Sequence, residues 1–208
     1  MSKWIPISEF LEDDSASRLF VKYRVNNKRL DISKDLTGWD STQTLKTERD
    51  LNFHPIKDRK GNIYLLADRP TKYGLGLSGK SGFDHGAELF SIFAEMYSNH
   101  EIMGIGMPLT MELFDQIPEN MKYLSDTYWL ATRCKTTSNR GLIYYGYVFV
   151  GYVSKHKNDL YADKHVFYAK NGIRPLIALP SNILINVGDN MFDGETPDTA
   201  LRIKYGKC

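Results

Sequence analysis

The sequence predicts an α+β fold in which two helices come before a set of strands that form a largely antiparallel sheet. Between about residues 85 and 98, apolar residues recur at helical spacing. Beyond residue 126 they fall instead into short apolar stretches separated by turns rich in Asn, Ser, Lys and Gly. Helices followed by strands, without strict alternation, favour α+β over a parallel α/β sheet.

Length and composition narrow the class of protein. A chain of 208 residues can bury a sizeable core without disulfides or metal, and 42% hydrophobic residues indicate a globular protein rather than a disordered one. The 27 basic and 25 acidic residues leave a net charge of +2, which excludes a protein built mainly to coat nucleic acid. No run reaches the roughly 18 apolar residues of a membrane span, so we expect no membrane insertion. Acidic residues occur too close to the N-terminus for the apolar core of a signal peptide to form, so we expect no signal peptide.

The first 60 residues predict an extension with little regular structure. Residues 19–25 are expected to form a strand that ends at an Asn-Asn turn. No helical or alternating period persists over residues 31–59, so loops are expected there. We therefore divide the chain into an N-terminal extension, residues 1–60, which could act as an assembly arm, and a main domain, residues 61–208.

The main domain begins with a short apolar strand and two helices. The strand covers residues 62–67 and stops before an Arg-Pro pair. The first helix covers residues 85–98, and the second begins at Pro108 as a first-turn proline and ends at Pro118. The later strands are expected at residues 127–132, 142–150, 166–169 and 172–179.

The small net charge conceals two neighbouring segments of opposite charge. Residues 93–132 carry six acidic side chains and only one basic side chain, Lys122. Residues 133–174 carry eight basic and two acidic side chains, together with eight of the 23 Tyr and Phe residues. One interpretation of residues 133–174 is that the charges are simply solvated and the tyrosines pack in the core. The other is that this segment forms a partly hydrated surface that binds a ligand or a partner.

A glycine-rich segment matches the phosphate-binding loop pattern G-x-x-x-x-G-K-[ST] at Gly74–Ser81. That loop must join a buried strand directly to the first turn of a helix, so that the helix dipole faces the phosphate. Here a polar, proline-interrupted stretch comes before the pattern and more glycines come after it. The sequence therefore favours a glycine-rich surface loop over a nucleotide site, and a nucleotide-binding enzyme remains the less favoured alternative.

Other catalytic and metal-binding patterns are missing from the sequence. The five histidines have no spacing that would place two of them on one metal ion. Cys134 and Cys208 are expected to be reduced thiols without a disulfide framework. No G-x-S-x-G nucleophile turn occurs, so we expect no enzyme activity, no cofactor and no metal site.

Three segments together resemble one known family. They are residues 78–90 (SGKSGFDHGAELF) with 96–99 (MYSN), residues 126–133 (DTYWLATR), and residues 171–182 (NGIRPLIALPSN). They are similar, in this order and spacing, to the glycine-loop helix, Trp strand and Arg-Pro strand of an uncharacterised domain family of Firmicutes and their bacteriophages. That family resembles the C-type-lectin-like fold of sulfatase-modifying factors and of retroelement-diversified phage receptor-binding proteins.

The resemblance covers roughly residues 62–185 and implies two helices packed on a twisted, largely antiparallel sheet with long loops. The calcium motifs of sugar-binding lectins and the catalytic cysteines of the sulfatase-modifying enzymes have no counterparts here. The resemblance implies core or loop-bridging roles for Trp129, Arg174 and Pro175. It places the ligand surface between the Trp strand and the Arg-Pro strand. The ligand- or partner-binding candidates in that region are Arg140, Tyr144, Tyr145, Tyr147, Tyr152, His156 and Tyr161.

The resemblance implies a non-enzymatic bacteriophage virion protein, made in the host cytoplasm, which decorates a capsid, associates with a tail or binds a receptor. Its expected partners are other virion proteins or a host-surface glycan or protein, without nucleic acid. The oppositely charged segments further suggest a homo-oligomer paired head to tail. A bacterial ligand-binding module of a surface or regulatory system is the other non-enzymatic alternative.

Overall fold

The computed structural model describes residues 1–35, 44–72, 89–124, 126, 128–137, 143–150, 160–163 and 172–206. Residues 132–137, 143–150 and 160–163 are described through their backbone. The strands, in chain order, are β1 (Lys3–Pro6), β2 (Arg29–Asp31), β3 (Thr44–Lys46), β4 (Phe53–Lys57), β5 (Ile63–Ala67), β6 (Ile105–Pro108), β7 (Tyr128–Thr137), β8 (Ile143–Val150), β9 (Leu160–Asp163), β10 (Gly172–Ile173), β11 (Pro175–Leu179), β12 (Ile183–Val187) and β13 (Ile203–Tyr205). The helices are α1 (Ile7–Phe10), α2 (Ile32–Asp35), α3 (described over residues 89–95), α4 (Met111–Phe114) and α5 (Glu119–Lys122), with 3₁₀ turns at Asp14–Arg18 and His100–Ile102.

These elements make a mixed α+β structure with mainly antiparallel sheets, which confirms the predicted class. One sheet has the order β4-β5-β11-β6, a second has the order β10-β7-β8-β9, a third has the order β1-β12-β13, and β2 pairs with β3. The pairing of β10 with β7 is parallel, whereas the other strand pairs are antiparallel.

The sheet β4-β5-β11-β6 is buried on both faces and separates two hydrophobic cores. Because side chains alternate between the faces of a strand, β5 sends Ile63, Leu65 and Ala67 into the first core. It sends Tyr64 and Leu66 into the second core. A strand that is covered on both sides has apolar residues at every position, and this explains the unbroken run IYLLA in β5.

The first core draws side chains from the whole described chain, including the first 60 residues. Ile7 and Phe53 are fully buried there with Ile183 and Ile185 of β12. β1 pairs with β12. β4 and β5 are joined by a turn and pair as an antiparallel hairpin. The boundary predicted after residue 60 falls inside this β4–β5 hairpin, so residues 1–60 share sheets and a core with the later strands.

Three sequence predictions in the first 60 residues and at the second helix need correction. Within the predicted strand 19–25, residues 21–25 do alternate between buried and exposed side chains, but the only bridges within the described residues are those of Val21, which pairs with Phe53 and Leu201. The stretch 31–59, expected to be loops, contains the short strands β3 and β4 and helix α2. Strands this short have too few residues to show an alternating period.

The second predicted helix begins later than expected. Pro108 ends the edge strand β6 opposite Pro175, and helix α4 begins only after Thr110, whose hydroxyl accepts a bond from the Leu113 N–H. A proline suits the outer edge of a sheet as well as the first turn of a helix, because both positions lack a partner for the N–H.

The remaining element predictions agree with the structure where it describes them. The strand at 62–67 is β5, and the strands at 127–132, 142–150 and 172–179 correspond to β7, β8 and the β10–β11 pair. Residues 89–95 of the predicted helix 85–98 are helical, and Leu89, Phe93 and Met96 are buried as its apolar stripe predicts. Residues 85–88 and 166–169 lie outside the described residues.

The outer edge of β6 is closed by the chain that comes after α3. The Gly106 N–H donates to the Ser98 hydroxyl at 2.9 Å, and Pro108 has no N–H to offer. A Cβ atom at Gly106 would lie 2.0 Å from the Ala94 carbonyl oxygen, so only glycine allows this close approach.

Gly106→Ala should therefore destabilise the protein by about 3 kcal/mol, because the backbone around Ala94 must move to admit the methyl group. Urea unfolding followed by circular dichroism measures the effect. Gly61→Ala is the matched control: Gly61 has φ 86° but open space around it, so its cost should be about 1 kcal/mol from the left-handed conformation alone. Equal effects of the two substitutions would contradict the close approach.

Candidate functional site

The register of β7, β8 and β9 places basic and aromatic residues opposite one another. Arg133 pairs with Tyr147, and Lys135 pairs with Tyr145. Residues directly opposite in neighbouring strands occupy the same face of a sheet. One face therefore holds the positions Arg133, Lys135, Thr137, Ile143, Tyr145, Tyr147, Phe149, Tyr161 and Asp163, which we call the aromatic–basic face.

The structure describes the backbone of four of the seven predicted ligand- or partner-binding residues. Tyr145 and Tyr147 lie in β8 and Tyr161 lies in β9, all on the aromatic–basic face. Tyr144, also in β8, occupies the opposite face. Arg140, Tyr152 and His156 lie outside the described residues.

Arg174 anchors the sheet β10-β7-β8-β9 at the end where it meets the sheet β4-β5-β11-β6, and we call this end the root of the sheet. The residue separates β10 from β11, and its side chain is 1% exposed. Its Nε donates to the Ala67 carbonyl oxygen at 2.7 Å, and its Nη1 donates to the Met121 carbonyl oxygen at 2.6 Å. The guanidinium thus joins the end of β5, helix α5 and the start of β11.

The Tyr128 ring completes the surroundings of the guanidinium. The Tyr128 hydroxyl lies 3.4 Å from Nη1, and the ring centroid lies 5.5 Å from the central carbon of the guanidinium. Burial lowers the pKa of Arg174, while the polar ring and the nearby Asp68 oppose that shift. Burial also raises the pKa of Tyr128. Because Tyr128 is the first residue of β7, the same contacts position the strand that carries Arg133 and Lys135.

The other two residues of the predicted structural motif also lie at this root. Trp129 is 4% exposed in the first core and stacks against Phe90 of α3, with ring centroids 6.3 Å apart. Pro175 opens β11 opposite Pro108. Between Trp129 and Arg133 the pairing of β7 with β8 shifts register.

Every carboxylate side chain of the acidic segment 93–132 is exposed to solvent. The six side chains are those of Glu95, Glu101, Glu112, Asp115, Glu119 and Asp126. Counting only cations of the described residues, three of them have a partner within ion-pair distance, at 3.7 Å from Arg24, 3.8 Å from Lys60 and 3.1 Å from Lys122. Exposed pairs of this kind contribute little free energy and leave the carboxylates open to a partner.

Sequence reasoning missed an ion-pair cluster at the entrance to the glycine-rich segment. Arg69 contacts Glu48 at 2.8 Å and Asp50 at 2.9 Å, and the Lys72 ammonium contacts Asp50 at 3.0 Å. Glu48 also accepts a bond from the Lys72 backbone N–H. The hydrogen bond from Lys72 contributes most to lowering the pKa of Asp50. The partners are roughly 20 residues apart in sequence, so no local pattern signals them.

Two buried tyrosines connect this cluster to the first core. The Tyr97 hydroxyl accepts a bond from the Glu48 N–H at 2.9 Å, and the Tyr23 hydroxyl donates to the Tyr97 carbonyl oxygen. Burial raises the pKa of both hydroxyls well above the ordinary value for tyrosine. The cluster holds the chain that enters residues 73–88, and the pattern Gly74–Ser81 falls in that segment, outside the described residues.

Grooves on the surface of the described residues have room for small molecules. One, of about 500 Å³, lies between the 3₁₀ turn Asp14–Arg18 and the start of α5, with Leu11 and Ile56 among its lining and Arg18 and Lys57 at its rim. Another, of about 460 Å³, lies beside Phe10, Val187 and Phe192. Both mix apolar and charged groups, without an arrangement that singles out one ligand.

The imidazole of His54 lies between an aromatic ring and a backbone carbonyl oxygen. The ring of His54 lies against Phe20, with centroids 4.3 Å apart, and its Nδ1 lies 3.1 Å from the Leu19 carbonyl oxygen. Burial lowers the pKa of this imidazole. Within the described ranges, no group of three or more His, Cys, Asp or Glu side chains could hold a metal ion. Among these same residues, no helix is long and apolar enough to cross a bilayer.

Comparisons of the chain with protein-family models, with curated proteins and with solved structures found no match.

Arg174→Ala should lower the free energy of unfolding by about 4 kcal/mol, because it leaves the Ala67 and Met121 carbonyls unpaired inside the protein and opens a cavity. Urea denaturation measures this loss. Arg202 is the control, since it is half-exposed, pairs with Asp189 at 2.8 Å and lies over the Phe192 ring. Arg202→Ala should cost about 1 kcal/mol or less. A loss no larger at Arg174 would contradict its place at the root of the sheet.

Tyr23→Phe should destabilise the protein at neutral pH by about 1 kcal/mol through loss of its hydrogen bond. It should also flatten the fall of stability in alkali. A tyrosine whose pKa is raised on folding contributes stability that is complete below its unfolded pKa of about 10 and is lost as the pH rises above it. Urea unfolding between pH 7 and 11 tests this. An alkaline slope in Tyr23→Phe equal to that of the wild type would refute the assignment.

Proposed function

We propose that the chain is a non-enzymatic bacteriophage virion protein with a C-type-lectin-like fold. In this proposal it decorates a capsid, associates with a tail or binds a receptor, and the aromatic–basic face is the contact surface. The partner is another virion protein or a glycan or protein on the host surface. The observation that carries the proposal is the register of β7, β8 and β9, which brings tyrosines and cations to one face.

The chemistry of that face suits a partner rather than a substrate. Tyrosine combines a large apolar ring with a hydroxyl that can remain hydrated, and arginine forms planar, bidentate hydrogen bonds. These residues are enriched at protein interfaces, where a few of them supply much of the binding free energy. The basic residues of β7 lie opposite the tyrosines of β8, so one sheet provides both kinds of contact.

The sequence resemblance supports the same surface independently. It implies that the ligand region lies between the Trp strand and the Arg-Pro strand, and β7, β8 and β9 are built from that stretch. The buried contacts of Arg174 and Trp129 hold the base of these strands. A rigid base limits the conformational entropy that a contact surface loses on binding.

The virion role is tested by mass spectrometry of purified particles of the phage that encodes the chain. We expect the chain to copurify with the particles in stoichiometric amounts, and its absence from them would overturn the proposal. A phage lacking the gene is then supplied with Arg133→Glu/Lys135→Glu protein, which should fall at least about tenfold in particle content because the face changes sign. Lys22→Glu/Lys60→Glu is the control, since it makes the same charge change at exposed positions elsewhere.

Calorimetry with ATP and Mg²⁺ tests the enzymatic alternative. We expect no heat of binding and no change in melting temperature. Binding that Lys80→Ala abolishes would instead show that Gly74–Ser81 is a nucleotide site and would overturn the non-enzymatic proposal.

A further inference from the structure

The outer edge of β4 is covered at its beginning and borders a groove at its end. β4 pairs with β5 on one side and is the end strand of its sheet. At the first residue of β4, the Val21 N–H donates to the Phe53 carbonyl oxygen at 2.8 Å. The last two residues, Ile56 and Lys57, belong to the lining of the groove of about 500 Å³. The edge of a sheet is a template on which a further strand can pair.

Alternate residues of β4 direct their backbone N–H and C=O groups away from β5. In an antiparallel pair, residues that bond to the partner strand alternate with residues whose backbone groups point outward. Immediately after β4, the Asp58 N–H donates to the Asn62 carbonyl oxygen at 3.0 Å, so the even-numbered residues bond to β5. The outward residues are therefore Phe53, Pro55 and Lys57. The bond that Phe53 accepts from outside the hairpin agrees with this alternation.

Lys57 supplies a donor and an acceptor at this edge. Neither its N–H nor its carbonyl oxygen has a hydrogen-bond partner among the described residues. Two residues further on, the Arg59 N–H donates to the Gln116 side chain at 2.9 Å, so the open edge ends there. A donor and an acceptor on one outward residue match one residue of an added antiparallel strand, which exchanges two hydrogen bonds with it.

The groove exists because the chain before Val21 turns away from β4. The Leu19 carbonyl oxygen still lies beside β4, 3.1 Å from the His54 Nδ1. The Leu19 N–H, however, donates back to the Ala16 carbonyl oxygen at 3.1 Å and closes the 3₁₀ turn Asp14–Arg18. The turn satisfies its own backbone and does not continue the pairing, so the space beside the end of β4 is left open.

The side chains of the groove favour an occupant without net charge. The charged lining residues are two carboxylates and two cations: Asp13, Asp14, Arg18 and Lys57. Their charges cancel, so they do not select an ionic ligand. The apolar part of the lining comes from Leu11, Ile56 and Pro118 and can receive an apolar side chain. Specificity in this groove therefore comes from the backbone of β4 together with a small apolar contact.

We propose that this groove binds an extended, uncharged segment of another protein, which adds to the edge of β4. One residue of the segment exchanges two backbone hydrogen bonds with Lys57, and a neighbouring side chain packs against Leu11, Ile56 and Pro118. Strand addition of this kind takes its affinity from main-chain bonds and its specificity from the side-chain pockets. The groove is separate from the aromatic–basic face, so this inference goes beyond the proposed function and does not depend on it.

The same edge is unfavourable for a second copy of the chain. Two β4 strands paired antiparallel about Lys57 would place their ammonium groups next to each other, and the Lys57 side chain is exposed, without an ion-pair partner among the described residues. Pro55 removes the donor at the outward position before it. Lysine and proline at an edge are residues that hinder pairing between identical strands, which leaves a segment of a different protein as the occupant.

Peptide selection tests the site. The immobilised full chain is panned against random heptapeptides displayed on phage, and the enriched peptides are synthesised and titrated. Lys57→Pro removes the outward N–H without touching the bonds to β5, because Pro55 already occupies an outward position of the same strand. We expect it to weaken peptide binding at least about tenfold. Lys57→Thr is the matched control, since it removes the same charge, keeps the N–H and should bind like wild type. Failure to enrich a peptide, or equal binding to Lys57→Pro and wild type, would overturn the proposal.

Methylation of the peptide backbone tests strand addition without altering the protein. Methylating the nitrogen of the residue that pairs with Lys57 should abolish binding. Methylating the next nitrogen, which points away from β4, should change the affinity less than about threefold, because adjacent residues of a strand face opposite edges. Equal effects at adjacent nitrogens would contradict strand addition.

Amide hydrogen exchange followed by NMR locates the contact. Saturation with a selected peptide should slow exchange of the Lys57 N–H at least about tenfold, whereas the Ile56 N–H, already bonded to β5, is the internal control and should not change. Unchanged exchange at Lys57 would refute the site. Arg133→Glu/Lys135→Glu should leave peptide affinity unchanged. If this variant alone loses the peptide, the peptide binds the aromatic–basic face, and the inference fails while the proposed function stands. Dimerisation of wild type that Lys57→Pro abolishes would show a second copy as the occupant and would also overturn the proposal.

Discussion

The buried guanidinium of Arg174 is the contact on which the arrangement of the sheets depends. It binds carbonyl oxygens at the end of β5 and in α5, and it lies beside the ring of Tyr128 at the start of β7. A cation in an apolar interior is expensive to desolvate, and it is tolerated only where its donors are paired. Because these partners lie on three segments, satisfying one charge fixes the relative positions of two sheets and a helix.

The sheet β4-β5-β11-β6, which Arg174 contacts at the end of β5, lies between the two hydrophobic cores. Its two faces serve separate hydrophobic clusters, so β5 and β11 are covered on both sides. β10 and β11 are one strand interrupted at Arg174, with β10 joining β7 and β11 joining β5. The sheet that carries the aromatic–basic face is therefore anchored to the best-buried part of the protein, and its outer strands extend from that base.

The charges of the protein divide into paired and available groups. Arg69, Lys72, Glu48 and Asp50 neutralise one another where the chain enters residues 73–88. The carboxylates of residues 93–132, in contrast, are all exposed and only weakly paired. A net charge of +2 therefore gives no hint of the local fields that a partner would meet, and these fields govern association more than the total does.

The sequence by itself determined the class of fold, the buried stripe of α3 from its helical spacing, and the strands β5, β7, β8 and β11 from apolar runs bounded by turn residues. It also located the basic, tyrosine-rich stretch. Only the tertiary structure decided that residues 1–60 share the core, that Pro108 ends a strand, and that Tyr145 and Tyr147 share a face with Arg133. Short strands lack a readable period, and pairing between distant segments is set by which side chains can be buried together. Lys57 illustrates the same limit, since the outward direction of its backbone groups exists only in the paired strand.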